Sequence, residues 1–259
     1  MDLRDEKPKR GRGIYLLPNL FTTATLFAGF YAILAAIKGQ FEPAAVAIFV
    51  AMLMDGIDGR VARLTNTQSA FGAEYDSLSD LIAFGLAPAL VMYLWALTDL
   101  GKIGWLAAFI YTAGTALRLA RFNTQLGVAD KRYFQGLPSP SAAAIMAGGV
   151  WIGATFGIEG RDVQWLACVV TTVVGLLMVS NFRYNSFKDI DFHGKVPFIF
   201  AVGVMLVFAI VFWHPPLVLF AIFSSYAVSG PVVTLIYRHR RRKARRALQK
   251  DAAGDGRNG

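Results

Sequence analysis

The stretch Met54-Asp55-Gly56-Ile57-Asp58-Gly59-Arg60-Val61-Ala62-Arg63 is followed, after eight residues, by Gly72 and then by Asp76 and Asp80. Four carboxylates thus lie between two long apolar segments. Asp55 and Asp58 are three residues apart, and Asp76 and Asp80 are four apart. On helices, each pair shares a face. Two such helices side by side bring both pairs to one pocket. Carboxylates gathered beside hydrocarbon are costly unless something compensates them. A divalent cation, or two, is the simplest compensation, because hard cations prefer oxygen ligands. Two metals about 3.5–4 Å apart suit an in-line displacement at phosphorus. The bland alternative, four acids in a solvated loop, fits poorly with the apolar flanks.

Outward from this stretch, composition sets the class. Of the 259 residues 55% are hydrophobic and 17% charged, and the mean hydropathy is +0.47. A soluble domain carries about 25% charged residues. The chain therefore reads as an all-α, polytopic transmembrane bundle, with apolar runs that favour helices over a barrel. The net charge of +9 does not point to nucleic acid, because the basic residues cluster at the termini and in alternate loops. Cys168 is the single cysteine and sits in an apolar run, which suits packing. His193, His214 and His239 lack metal-ligand spacing.

About eight membrane segments are expected. Residues 1–13 form a basic N-terminal segment, 14–237 the transmembrane catalytic domain, and 238–259 a basic tail of disordered character. The segments run from about Ile14 to Ile37, Phe41 through the Asp58 region, Gly72 to Leu97, Ile103 to Leu119, Ser141 to Phe156, Val163 to Ser180, Val196 to Trp213 and Leu217 to Tyr237. Arg60 to Ala70 reads as a polar connection, and Arg118, Arg121 and Asn123 as part of the loop after the fourth segment. With eight passes, Arg60, Arg63, Arg118, Arg121, Lys131, Arg132, Arg183, Lys188, Lys195 and both basic tails fall on one side. Lys38, Lys102 and Arg161 fall on the other. That asymmetry marks the first side as cytoplasmic. It places both termini and the Asp55–Asp80 stretch at the cytoplasmic face. The retained first segment and this plain pattern fit a prokaryotic inner membrane.

The spacing Asp55, Asp58, Gly59, Ala62, Arg63, Gly72, Asp76, Asp80 resembles the signature of the CDP-alcohol phosphotransferase family, with every signature position filled. The resemblance implies attack by an alcohol hydroxyl on a CDP-linked lipid, with CMP leaving. It implies metal ligation by Asp55, Asp58, Asp76 and Asp80, with Mg²⁺ or Mn²⁺, two per site, as cofactor. It makes Asp80 the general base, and it implies a homodimer. On the residues themselves, Gly59 lets backbone approach the nucleotide, and Arg63 adds positive charge near phosphate. Ala62 and Gly72 are small enough for close approach, a property that ordinary helix packing shares. Pro18-Asn19-Leu20-Phe21-Thr22 resembles the family's Pro-Asn-x-x-Thr stretch. Asn19 and Thr22 are candidates for the CDP-lipid, while Asn19 also suits a helix cap.

Arg118-Leu119-Ala120-Arg121-Phe122-Asn123-Thr124 and Phe134-Gln135-Gly136-Leu137-Pro138-Ser139-Pro140 are similar to the phosphatidylserine synthase branch of that family. This implies CDP-diacylglycerol and L-serine as substrates, within membrane lipids. Arg118 or Arg121 would pair with the serine carboxylate, contact the lipid phosphate, or mark the membrane boundary. Asn123 and Ser139 are candidates for the serine head. Two alternatives stand beside this one. Glycerol 3-phosphate or inositol phosphate would be the acceptor in the same chemistry, or the acids would serve an ion-coupled transporter.

Overall fold

The computed structural model describes residues 16–65, 69–125, 133–185 and 198–255. They form helices that run back and forth between two polar ends. In chain order these are α1 (Leu16–Ile37), α2 (Phe41–Thr65), α3 (Ala70–Asp80), α4 (Ala87–Met92), α5 (Lys102–Gln125), α6 (Ser139–Phe156), α7 (Gln164–Val179), α8 (Phe198–Trp213) and α9 (Pro215–Asp255). Two short strands, β1 (Tyr133–Gln135) and β2 (Arg183–Asn185), pair antiparallel with Phe134 opposite Tyr184. The helical bundle is the expected one, and this strand pair is an addition to it.

Five helical stretches are long and apolar enough to cross a membrane: Asn19–Ile37, Ala70–Leu100, Lys102–Thr124, Gly160–Val179 and Pro215–Tyr237. The remaining expected passes correspond to α2, α6 and α8. The first of these carries Asp55, Asp58, Arg60 and Arg63 in its second half, and the other two have 18 and 16 residues among those described. Phe27, Trp105, Leu117, Leu166 and Met205 lie exposed on the outside. In water such a surface invites aggregation; against lipid tails it is the inexpensive arrangement.

Small residues hold the interior together. Ala28, Ala32 and Ala35 of α1 are buried, as are Ala44, Ala45 and Ala51 of α2. Between membrane helices, close backbone approach replaces the hydrophobic effect as the source of cohesion. α5 and α7 also cross closely. A Cβ added to Gly114 would lie 2.5 Å from the Gly175 carbonyl oxygen, and one added to Gly175 would lie 2.8 Å from Tyr111 Cα.

The rod from Ala70 to Leu100 is not a uniform α-helix. Pro88 has no N–H to give to the Phe84 carbonyl. Two wide turns, Leu81–Leu86 and Tyr93–Leu97, flank α4, and the Ala87 N–H bonds back to Ile82 O. The Phe84 carbonyl accepts instead from Tyr111 Oη at 2.9 Å. Such π-type turns often accompany functional sites, and the first of these begins directly after Asp80.

Three expectations are corrected. The polar connection from Arg60 to Ala70 is shorter than expected, because α2 continues to Thr65. Arg118, Arg121 and Asn123 are not in a loop; α5 runs on to Gln125. In both places charge marks where the helix leaves the apolar layer, not where it stops, since Arg, Leu and Ala are all good helix formers. Likewise α9 continues to Asp255 through Arg238–Lys250, a run of helix-favouring Arg, Lys, Ala, Leu and Gln, where a disordered tail was expected. The basic segment 1–13, together with Lys131, Arg132, Lys188 and Lys195, lies outside the described residues.

Candidate active site

The site forms at the end of the bundle where α2 finishes and α3 begins. Ser69 fixes the start of α3, its Oγ accepting from the Gly72 N–H at 3.0 Å. From there the helical period carries Asp76 and Asp80 onto one face, and α2 does the same for Asp55 and Asp58. Asp55, Asp76 and Asp80 each offer a carboxylate oxygen within 4.8 Å of the others. Asp55 and Asp80 lie within electrostatic reach of one another. Asp80 Oδ1 is shielded from solvent and has no hydrogen-bond partner among the described residues.

Asp58 stands slightly apart. It is buried, and its Oδ2 accepts from Thr22 Oγ1 of α1 at 2.9 Å. It remains within electrostatic reach of Asp76. Thr22 is itself buried, so the first helix reaches the acids through this hydroxyl. Thr23 adds a second tie, its Oγ1 lying 2.9 Å from Tyr75 Oη.

One guanidinium faces the acids. Arg118 lies within electrostatic reach of both Asp80 and Asp55. Its Nη1 donates to Ser139 Oγ at 2.8 Å, while its Nε is buried without a partner among the described residues. Ser139 is fully buried in the first turn of α6. Two residues singled out separately in the sequence are thus in direct contact beside Asp80. Arg121 has a different setting. It donates to Val179 O and Ser180 O at 3.4 Å and to Asn181 Oδ1 at 2.7 Å, which satisfies carbonyls at the end of α7. Asn123 Nδ2 donates to Ser77 Oγ at 3.0 Å, linking α5 to the turn of α3 between Asp76 and Asp80.

Of the remaining candidates, Asn19 and Gly72 meet between α1 and α3. Asn19 lies inside α1 and not at its cap. A Cβ added at Gly72 would come within 3.1 Å of Ser69 Oγ and 3.6 Å of Asn19 Oδ1. Gly72 therefore keeps Asn19 and the α3 start close together. Gly59 sits in the last turns of α2. Ala62 and Arg63 continue that helix, and their side chains lie outside the described residues.

The donor set suits a hard divalent cation. Among the described residues, three carboxylates converge, one of their oxygens is buried without a donor, and Arg118 alone cannot neutralise the group. Ser77, Tyr75 and Thr23 join the site without having been singled out in the sequence. Ser77 alone carried a signal, since it stands next to Asp76.

Comparison with known proteins points the same way. The family model described as CDP-alcohol phosphatidyltransferase matches residues 15–177. A protein of Helicobacter pylori named CDP-diacylglycerol–serine O-phosphatidyltransferase is 37% identical over 217 residues, covering 84% of this chain and 90% of its own. A protein of the same name from Mycobacterium tuberculosis is 35% identical over 212 residues, covering 79% of this chain and 72% of its own. An archaetidylserine synthase of Methanothermobacter thermautotrophicus is 34% identical over 170 residues, covering 65% of this chain and 69% of its own.

Proposed function

The chain belongs to the CDP-alcohol phosphatidyltransferase family, and on that premise we propose that it transfers the phosphatidyl group of CDP-diacylglycerol to the hydroxyl of L-serine. The products are phosphatidylserine and CMP. The observation that carries the choice of acceptor is the pairing of Arg118 with Ser139 beside Asp80. A fixed guanidinium recognises a carboxylate, and here it stands next to the acid that would take the hydroxyl proton. A phosphate-bearing acceptor, such as glycerol 3-phosphate or inositol phosphate, would call for a denser basic pocket than the one guanidinium that the described residues set against the four acids. The serine-specific names of the relatives support the same reading.

The chemistry follows from these positions. Asp80 accepts the proton of the serine hydroxyl, whose oxygen attacks the lipid-bearing phosphorus. The bond from that phosphorus to the CMP oxygen breaks, and CMP leaves. Asp55, Asp76 and Asp80, with Asp58 behind them, would hold Mg²⁺ or Mn²⁺, two ions in the full site. When bound, the cations neutralise negative charge on the pyrophosphate and the departing CMP. Thr22 orients Asp58. Asn19, Gly59, Ala62, Arg63 and Gly72 border the nucleotide side, and Asn123 holds the α3 turn through Ser77. Arg121 braces α7 against α5. The catalytic end faces the cytoplasm of a prokaryotic inner membrane, as the distribution of basic residues supports, and the working unit is a homodimer. Family membership also favours an enzyme over an ion-coupled transporter.

The test is incorporation of labelled serine into chloroform-soluble lipid by purified protein with CDP-diacylglycerol and Mn²⁺. Incorporation that disappears in Asp80→Asn supports the assignment. CMP release with glycerol 3-phosphate but not with serine would overturn the acceptor.

A further inference from the structure

On the reading of Asp80 as the base of serine transfer, we infer that Tyr111 of α5 is a positioning residue for that acid. Its hydroxyl holds the wide turn that begins directly after Asp80, and so sets the direction in which Asp80 meets Asp55 and Asp76. Pro88 has no N–H, so in this apolar interior the Phe84 carbonyl needs another donor. Tyr111 supplies it from a different helix, Oη to O at 2.9 Å, with both residues fully buried. The Ala87 N–H reaches back five residues, to Ile82 O, where an α-helix reaches back four. The turn therefore carries one extra residue, and one residue is about 100° of rotation about a helix axis. Were the turn to tighten, the α3 face that bears Asp76 and Asp80 would rotate by about that angle against α4, away from Asp55 of α2.

Packing fixes the residues on either side of that bond. Before it, a Cβ added to Gly29 of α1 would lie 2.6 Å from Ala83 Cα, so α1 presses directly on the turn. After it, a Cβ added to Gly85 would lie 3.1 Å from both Cβ and Cγ2 of Thr115. Thr115 is one helical turn on from Tyr111, and its Oγ1 donates to Tyr111 O at 3.1 Å. Ala83, Phe84 and Gly85 are all buried. Three consecutive residues of the turn are thus held by α1 and α5, and Asp80 is carried at its edge. A phenylalanine at position 111 would fill the same space but leave the Phe84 carbonyl without its donor. The phenol hydroxyl is what keeps the wide turn wide, and through it the base in place.

The experiment is a mutant cycle on the full-length protein in detergent, read as labelled serine incorporation with CDP-diacylglycerol and Mn²⁺. Tyr111→Phe keeps the ring and removes the hydroxyl. Its kcat is expected to fall about ten- to a hundredfold, the scale of a small misplacement at a reacting group. The KM values for serine and CDP-diacylglycerol should stay nearly unchanged. In an Asp80→Asn background the same substitution is expected to cause no further loss, because the group it positions is already gone. An unchanged kcat, or the same loss in both backgrounds, overturns the positioning role while leaving serine transfer in place. The double variant Tyr111→Phe, Pro88→Ala serves where the single variant does not fold. There the backbone N–H of residue 88 satisfies the Phe84 carbonyl, so the protein is expected to be stable yet as slow as Tyr111→Phe. Parental kcat in that double variant would mean that the phenol only satisfied a carbonyl, and overturns the inference. A wild-type protein that transfers nothing to serine overturns serine transfer and this inference with it.

Discussion

The two polar ends of the bundle use the same residue types to opposite effect. At the end away from the site, Arg161 Nε meets Asp99 Oδ2 at 2.8 Å, with side chains 73% and 50% exposed. These two charges are matched and stay in water, so the pair contributes little. At the other end Asp55, Asp58, Asp76 and Asp80 face, among the described residues, the guanidinium of Arg118. That group is withdrawn from solvent and its charges do not balance. Buried charge without full compensation is expensive, and a fold keeps it where a ligand completes the balance. The difference between the ends locates the function more firmly than the presence of acids alone.

The most damaging way to break this contrast is to neutralise the acid proposed as the base. Asp80→Asn is expected to lower turnover by about 10³-fold or more, read as serine incorporation at saturating substrate in protein shown to be folded. Asp55→Asn should come next. Activity of the parent is expected to vanish on chelation with EDTA and return with Mn²⁺ or Mg²⁺, whereas this variant should need far more metal for half-maximal rate. A metal titration that superimposes on the parent would remove Asp55 from the ligand set. Thr22→Val deletes the hydroxyl that orients Asp58. Its half-maximal metal concentration should rise about tenfold, in the range seen when the partner of a ligand is lost.

Smaller effects sharpen the comparison from the structural side. Gly175→Ala forces a methyl against Tyr111 Cα and is expected to cost about 1–3 kcal/mol of stability, measured by thermal unfolding in detergent. Smallest of all, Asp99→Asn at the opposite end should leave activity unchanged and alter stability by less than about 1 kcal/mol. A large loss there would mean that the two ends are not as different as their solvation implies.

Much of the site was legible because its logic is local. The spacing of Asp55 with Asp58, and of Asp76 with Asp80, becomes a shared face as soon as a helix forms. The apolar runs ensure that one does. Arg118 and Ser139 were both visible as motif residues, but their contact was not, since 21 residues separate them. Helix ends were read less well. Arg118 and Asn123 looked like loop residues because charge was taken to end a helix, whereas α5 simply emerges from the apolar layer still helical. The Leu81–Leu86 turn follows from Pro88, yet its position also depends on Tyr111 reaching the Phe84 carbonyl from another helix.

Taken alone, the sequence determined a polytopic helical bundle and the two helical carboxylate pairs, Asp55 with Asp58 and Asp76 with Asp80. Composition and helical period suffice for that, because each depends only on neighbours along the chain. Only the tertiary structure decided that Asp55, Asp76 and Asp80 meet while Asp58 leans on Thr22. It alone also separated Arg118, which faces the acids, from Arg121, which braces α7. Those outcomes depend on how closely helices approach where glycine and alanine meet, and no local period in the chain encodes that distance.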